Sequence, residues 1–251
     1  MDLGLQGKVA LVTGGGRDTG GRIAETLAAE GAAVAVNYRR SEAEAENVVA
    51  SIESAGGRAR AFRADIGDYE RVRSMVESVV AEFGRIDILV NNAGLVVYRK
   101  FVETGPEEWK AQIDTCLYGT IHCCHAVVPH MIERKGGRIV NVVGDSSRIG
   151  EANLAPAAAA RGGTIALGKS LARELGPSNV CVNTLSLGLV RTAHSDADFL
   201  ERNMERIVKA YPLRRIGVPD DVAPMVAFLA SDEASWITGQ TISVNGGFAM
   251  V

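Results

Sequence analysis

Apolar and polar positions change their period repeatedly along this chain. Runs rich in β-branched residues fill 9–13, 33–37, 86–90, 138–143, 180–185 and 241–244. Amphipathic stretches of helical length separate them, so strands and helices are expected to alternate. Ser41 with Glu44 three residues later predicts a capping box at the start of the second helix. Pro106 suits the first turn of a long helix running toward His130, and another long helix is expected over 153–175. This alternation predicts a doubly wound parallel α/β sheet with right-handed crossovers. No linker, repeat or low-complexity segment divides the chain, so residues 1–251 are expected to form one domain.

Composition narrows the classes. The chain is 47% hydrophobic and 23% charged, ordinary for a globular α/β domain. A net charge of −3 argues against a nucleic-acid partner without excluding an anionic cofactor. Met1-Asp2-Leu3-Gly4-Leu5 has neither a basic nor an apolar leader region, so no signal peptide is expected. No uncharged apolar stretch reaches about 18 residues, so no membrane span is expected. Cys116, Cys123, Cys124 and Cys181 match neither a zinc nor a disulfide spacing, which points to reduced thiols in the cytoplasm. His122 and His125 flank the Cys123-Cys124 pair, but no third ligand is suitably spaced, and helix packing is the expected role.

Several motifs carry chemistry. Thr13-Gly14-Gly15-Gly16-Arg17 follows the first apolar run, where glycines let backbone N–H groups approach a pyrophosphate. Asp65-Ile66, Asn91-Asn92-Ala93-Gly94, Ile237-Thr238-Gly239-Gln240 and Asn245-Gly246-Gly247 accompany it. Over nearly the whole chain these motifs resemble the short-chain dehydrogenase/reductase family, close to its 3-oxoacyl-carrier-protein reductase branch. The resemblance implies a single Rossmann-type domain with a seven-stranded parallel sheet. It also implies a homotetramer built through the two long helices and the last strand. It places Gly14, Arg17, Thr19 and Gly20 at the phosphates and Asp65 and Ile66 at the adenine. Asn92, Ala93 and Gly94 fall at the adenosine ribose, and Thr192 at the nicotinamide amide. Asn37-Tyr38-Arg39-Arg40-Ser41 ends the second strand without a carboxylate. A guanidinium there complements a 2′-phosphate, so Arg39 and Arg40 after Tyr38, with Arg17 in the glycine loop, favour NADP(H) over NAD(H).

The reactive end departs from the family pattern. The family catalyses with an Asn, a Ser, and a Tyr four residues before a Lys. The matching positions hold Cys116, Gly144, Ala157 and Arg161. Proton transfer and oxyanion binding need polar hydrogens, which Gly144 and Ala157 lack and Cys116 supplies only weakly. Ser146 or Ser147 is an alternative for the serine. Lys169 lies eight residues past Arg161, about 12 Å along a helix, and cannot replace the lysine. Tyr98 is the remaining phenol that could face the pocket, with lid packing as its plainer role. Asp18 replaces a phosphate-loop glycine and would either repel a pyrophosphate or cap the next helix. Leu187-Gly188 stands where the family has Pro-Gly.

The smaller side chains imply a roomier pocket and a bulky small-molecule substrate. Three readings stay open. In the preferred one, NADPH still delivers hydride, the proton comes from elsewhere, and Arg161 stabilises the developing alkoxide. In the second, a lyase, cyclase, dehydratase or isomerase uses Asp145 as its base, or Asp18, either of them paired with Arg161. In the third, the chain is an inactive nucleotide-binding or structural homologue.

Overall fold

The computed structural model describes residues 3–251, so Met1 and Asp2 of the N-terminal stretch lie outside the described residues. Its centre is a seven-stranded parallel sheet in the order β3-β2-β1-β4-β5-β6-β7. The strands are β1 (Val9–Val12), β2 (Ala33–Tyr38), β3 (Arg58–Arg63), β4 (Ile88–Asn91), β5 (Gly137–Gly144), β6 (Val180–Leu187) and β7 (Thr241–Val244). The six apolar runs all form strands, with ends shifted by one or two residues.

The strand without an apolar run is β3. Arg58 and Arg60 alternate with Ala59 and Ala61 at the sheet edge, while Phe62 falls on the arginines' face and Arg63 on the alanines', so no continuous apolar run forms. Arg58 and Arg60 both pair with Glu82, and their charge blunts an edge that could otherwise recruit another strand.

Helices cover both faces. The helices α1 (Asp18–Ala29), α2 (Glu42–Ser54) and α9 (Pro219–Ala230) share one core with Val12, Val34, Val36 and Val90. The other face packs α3 (Tyr69–Phe83), α5 (Gly119–Glu133) and α7 (Ala155–Leu175) around Leu11, Leu89, Ile139 and Val182. A smaller core under α8 (Ala197–Lys209) gathers Leu200, Tyr211 and Ile216. A short helix, α6 (Ser146–Ile149), follows β5.

The first long helix is not uniform. It runs as α4 (Pro106–Ile113), a π-helical turn (Asp114–Tyr118) and then α5. Pro106 sits in its first turn as expected. The other long helix begins at Ala155 rather than 153, because Asn153 has a left-handed φ of 71° that cannot continue a helix. At α2, Ser41 is the N-cap residue, yet its side chain makes no capping bond, so the predicted box does not close. Glu44 instead faces Arg17 and His194. A hydrogen bond from Ser41, then those two charges, holds the Glu44 carboxyl below the usual carboxylate range.

Among the described residues no helix is long and apolar enough to cross a membrane. Cys123 and Cys124 point into the core, and burial raises the Cys124 thiol to about 12 and the Cys123 thiol further. His122 bonds the Ile66 carbonyl at 2.9 Å and His125 bonds Tyr69 Oη at 2.7 Å, which is a packing role for both rings.

Asp221 fastens the start of α9. It accepts from Val218 N at 2.9 Å and from Arg215 at 2.6 and 2.7 Å. The Arg215 bonds, then Val218 N, hold its carboxyl at about 2. The unfolded value is about 4, so this stabilisation is present above pH 4 and is lost as pH falls through 2. Solvent reaches 30% of the side chain and screens the pair. Asp221→Asn is expected to cost about 1 kcal/mol at pH 7. Urea titrations at descending pH should show that difference shrinking below pH 4.

Candidate active site

The strand order turns back between β1 and β4, and a crevice opens beyond their carboxyl ends. Three chain segments are tied together there. Thr13 Oγ1 accepts from Asn92 N at 3.0 Å and Ala93 N at 3.1 Å, and donates to Val90 O at 3.3 Å. Asn92 Nδ2 returns bonds to Thr13 O and Gly14 O at 3.1 and 3.2 Å. From β2, Asn37 Oδ1 accepts from Gly14 N at 3.2 Å, and its main-chain oxygen accepts from Gly15 N at 2.9 Å. Asn37 Nδ2 meanwhile reaches the Phe62 and Ala64 carbonyls near the end of β3. Asn37 thus holds the glycine turn in place, a role its position after an apolar run did not reveal.

Glycine is required where the turn meets the first helix. Gly14 has a φ of 58°, and a Cβ on Gly20 would stand 2.1 Å from Gly14 O. The N-cap of α1 is Arg17, whose side chain makes no capping bond, so the first N–H groups of the helix face the crevice. A cleft of about 430 Å³ results. Its walls include Gly14, Arg17, Thr19, Gly20, Tyr38, Arg39, Arg40, Asp65, Ile66, Asn92, Ala93 and Gly94, every expected cofactor residue but one. Thr192 is the exception: its N donates to Ser195 Oγ at 2.8 Å in the loop of residues 188–196. Tyr38 lines the cleft, but its hydroxyl is taken by Glu42 at 3.0 Å.

Charge at the mouth is mixed. Arg39 pairs with Asp65 at 3.5 Å, and Arg17 with Asp18 and Glu44 at 3.6 and 3.7 Å. Each pair is roughly half exposed, so it is weak and open to exchange with a stronger anion. Arg40 has no acidic partner among the described residues. Asp18 does not cap α1. It is the first helical residue, with a φ of 52°, and its Oδ1 lies 3.0 Å from His194 Nδ1. The other ring nitrogen of His194 meets Glu44 at 2.9 Å. The 188–196 loop is therefore strapped across the phosphate turn. Tyr98 lies against Phe199 of α8, with ring centroids 6.0 Å apart, and is 56% exposed. That is lid packing, and no phenol of Tyr98 enters the pocket.

Comparison with known proteins agrees with this geometry. A sequence model described as enoyl-(acyl carrier protein) reductase matches residues 17–249. The 3-oxoacyl-[acyl-carrier-protein] reductase of Staphylococcus aureus strain N315 is 40% identical over 97% of this chain and 98% of its own. The chain belongs to the short-chain dehydrogenase/reductase family. A 3-oxoacyl-[acyl-carrier-protein] reductase of Synechocystis is 39% identical over 98% of both chains. A crystal structure from Sinorhizobium meliloti 1021, assigned as a short-chain alcohol dehydrogenase, superposes with a TM-score of 0.94. It is 34% identical and covers 99% of this chain and 98% of its own.

Within the short-chain dehydrogenase/reductase frame, Cys116 and Arg161 both lie near Gly94, and Arg161 also lies near Gly144. Cys116 sits in the π-helical turn, buried, and its Sγ bonds Leu95 in both directions, to the carbonyl at 3.3 Å and from the N–H at 3.4 Å. Thr164 of α7 donates to the Cys116 carbonyl at 2.9 Å and so fixes the turn against the second long helix. Cys116 is a fastener of the 94–95 turn. Gly144 ends β5, and Ala157 is buried in the first turn of α7. Arg161 follows one helical turn later. Its Nη1 lies 3.3 Å from where a Gly144 Cβ would be, and its Nη2 2.5 Å from a Cβ on Gly94.

Asp145 does not pair with Arg161. Its Oδ1 accepts from Ser186 Oγ at 2.5 Å and its Oδ2 from Asn245 Nδ2 at 2.6 Å, and it is 2% exposed. A buried carboxylate with both oxygens taken joins the ends of β5 and β6 to the segment after β7. Asp18 is likewise engaged elsewhere, at the mouth. Of the two alternative serines, Ser147 donates to Gly144 O at 2.6 Å, whereas Ser146 Oγ lies 3.6 Å from a Gly144 Cβ position.

Thr13→Val tests the lock. It keeps the shape but strands two N–H groups, at a cost of about 2–4 kcal/mol. A melting temperature lower by roughly 5–15 °C is expected by calorimetry.

Proposed function

We propose that this protein is an NADP(H)-dependent oxidoreductase that reduces a carbonyl group on a bulky small molecule without a tyrosine–lysine proton relay. The observation that carries the reading is the cleft itself. It gathers the glycine turn, the uncapped start of α1 and three arginines at the edge where a 2′-phosphate would lie. NADPH, when bound, supplies hydride. Gly14, Thr19, Gly20 and the α1 N-terminus would hold the pyrophosphate, and Asn92, Ala93 and Gly94 the adenosine ribose. Asp65 and Ile66 would flank the adenine, with Thr192 brought to the nicotinamide amide by the strapped loop. Arg39 would exchange Asp65 for the phosphate, beside Arg17 and Arg40.

At the reactive end, Arg161 lies beside Gly144 and Gly94 and offers N–H donors to oxygen. In this reading it stabilises developing negative charge, while the proton comes from water or the substrate. A missing acid costs roughly 10²–10⁴ in rate, so an activated carbonyl is the expected substrate. The small residues Gly144 and Ala157 are the ground for a bulky one, with Arg161 taking part of the room at Gly144. Asp145 serves as a positioning group for the ends of β5, β6 and the 245–249 segment. A homotetramer in the cytoplasm completes the reading, supported by family membership and by four cysteines that are all free and buried.

Calorimetric titration should find NADPH binding at least tenfold tighter than NADH. Arg39→Ala with Arg40→Ala should weaken NADPH by about 10–100-fold, at 1.5–3 kcal/mol for charged hydrogen bonds, and leave NADH nearly unchanged. Failure of every nicotinamide nucleotide to bind removes the redox reading.

Asp18→Gly gives a separate check. It relieves a left-handed φ and removes a carboxylate from beside the phosphates, worth about 1 kcal/mol. The Kd for NADPH should fall about fivefold, with Glu44 still holding His194 and the melting temperature within about 3 °C of the parent.

A further inference from the structure

Arg161 carries a charge that the protein leaves unanswered. No hydrogen bond or ion pair reaches it among the described residues, although its exposure is only intermediate. Its near neighbours are Gly94, Cys116, Gly144 and Ala157, and none brings an anion. Asp145, the closest carboxylate along β5, is taken by Ser186 and Asn245. Two other cations of the cleft differ, since Arg17 and Arg39 each have an acidic partner at 3.5–3.7 Å, and Arg40, which has none among the described residues, is exposed to solvent where Arg161 is half-buried.

The placement of the guanidinium is specific. Its outer nitrogens lie against two glycine backbones, at 2.5 Å from a Gly94 Cβ position and 3.3 Å from a Gly144 one. A Cβ at 94 would push the guanidinium aside and one at 144 would crowd it by a few tenths of an ångström, so the bare Gly144 backbone leaves the arginine room at its present place. Gly94 also forms part of the cleft wall, so an anion held by Arg161 would lie at the cleft's inner end. A guanidinium does not deprotonate, and partial burial without a counter-ion is unfavourable. Its two parallel N–H groups match the two oxygens of a carboxylate.

We propose that Arg161 is a substrate-anchoring residue and that the pocket takes a carbonyl compound bearing a carboxylate, held by the Arg161 fork with Gly144 as the position that admits it. The substrate class rests on the redox reading above, with Arg161 then spending its fork on the carboxylate rather than on the developing alkoxide, but carboxylate binding itself requires no hydride transfer. Cys116 and Ala157, both buried, are uncharged neighbours in this region. Gly144→Ser crowds Nη1 and should disturb this site without removing the charge.

The test is calorimetric binding of benzoate to the whole protein, with and without NADP, against benzamide as the neutral isostere and inorganic phosphate as a second oxyanion. Benzoate should bind at least tenfold more tightly than benzamide and more tightly than phosphate. Arg161→Gln should abolish that preference, Arg161→Lys should keep part of it, and Gly144→Ser should weaken benzoate about tenfold. Circular dichroism of each variant confirms the fold. Equal binding of benzoate and benzamide, or an undiminished preference in Arg161→Gln, overturns the proposal. Tighter phosphate binding overturns it in favour of a phosphorylated ligand. A larger loss of NADPH than of benzoate in Arg161→Gln overturns it by placing the guanidinium on the cofactor. If neutral ketones oxidise NADPH while benzoate does not bind, only this proposal fails. If benzoate binds and no nicotinamide nucleotide does, only the redox reading fails.

Discussion

One hydroxyl holds the site together. Thr13 Oγ1 takes two N–H groups from the turn after β4 and gives its proton back to the end of the same strand. The glycine turn after β1 can therefore lie flush against Asn92, with no room for a side chain on Gly20. Asn37 closes the arrangement from β2, since its side chain and main chain both receive N–H groups of the glycine turn. These bonds lie where the sheet changes direction, so three strand ends are pinned at the one place where helices leave a crevice. Cleft width and the exposed start of α1 follow from that pinning.

The reactive end depends on a second set of fasteners. The π-helical turn lets Cys116 face Leu95, and Thr164 ties the turn to α7. Ser186 and Asn245 hold Asp145, and with it the end of β5. Between these two tied segments, Arg161 is left without a partner among the described residues. The polar groups that surround it are spent on structure, and the guanidinium is not. That contrast separates residues whose polar groups are taken up by structure from one whose donors are left open among the described residues.

Much of this was legible in the chain. The six apolar runs located six strands because burial on both faces demands continuous β-branched residues. The strand β3 escaped, since an edge strand shows one face to water and can alternate arginine with alanine. The cofactor wall was legible because glycines and asparagines at strand ends serve backbone geometry, which is local. Thr192 was not placed on that wall, because its loop is positioned by His194 bridging Asp18 and Glu44 across a long sequence separation. Asp145 looked like a base in sequence. Its two donors come from β6 and from the segment after β7, and no local pattern announces such partners.

By itself the sequence determined the architecture, the family and the ends of the chain's strands that meet a nucleotide, because period, turn chemistry and glycine placement act over a few residues. It also determined which side chains stand at positions 116, 144, 157 and 161. Only the tertiary structure decided which of those are free. Cys116 became a fastener, Asp145 a buried brace, Tyr98 a lid contact, and Asp18 one end of a strap. Arg161 kept its charge facing two glycines. The physical reason is that a polar group's function depends on whether its hydrogen-bonding capacity is already used, and its partners here come from strands and loops far away in sequence.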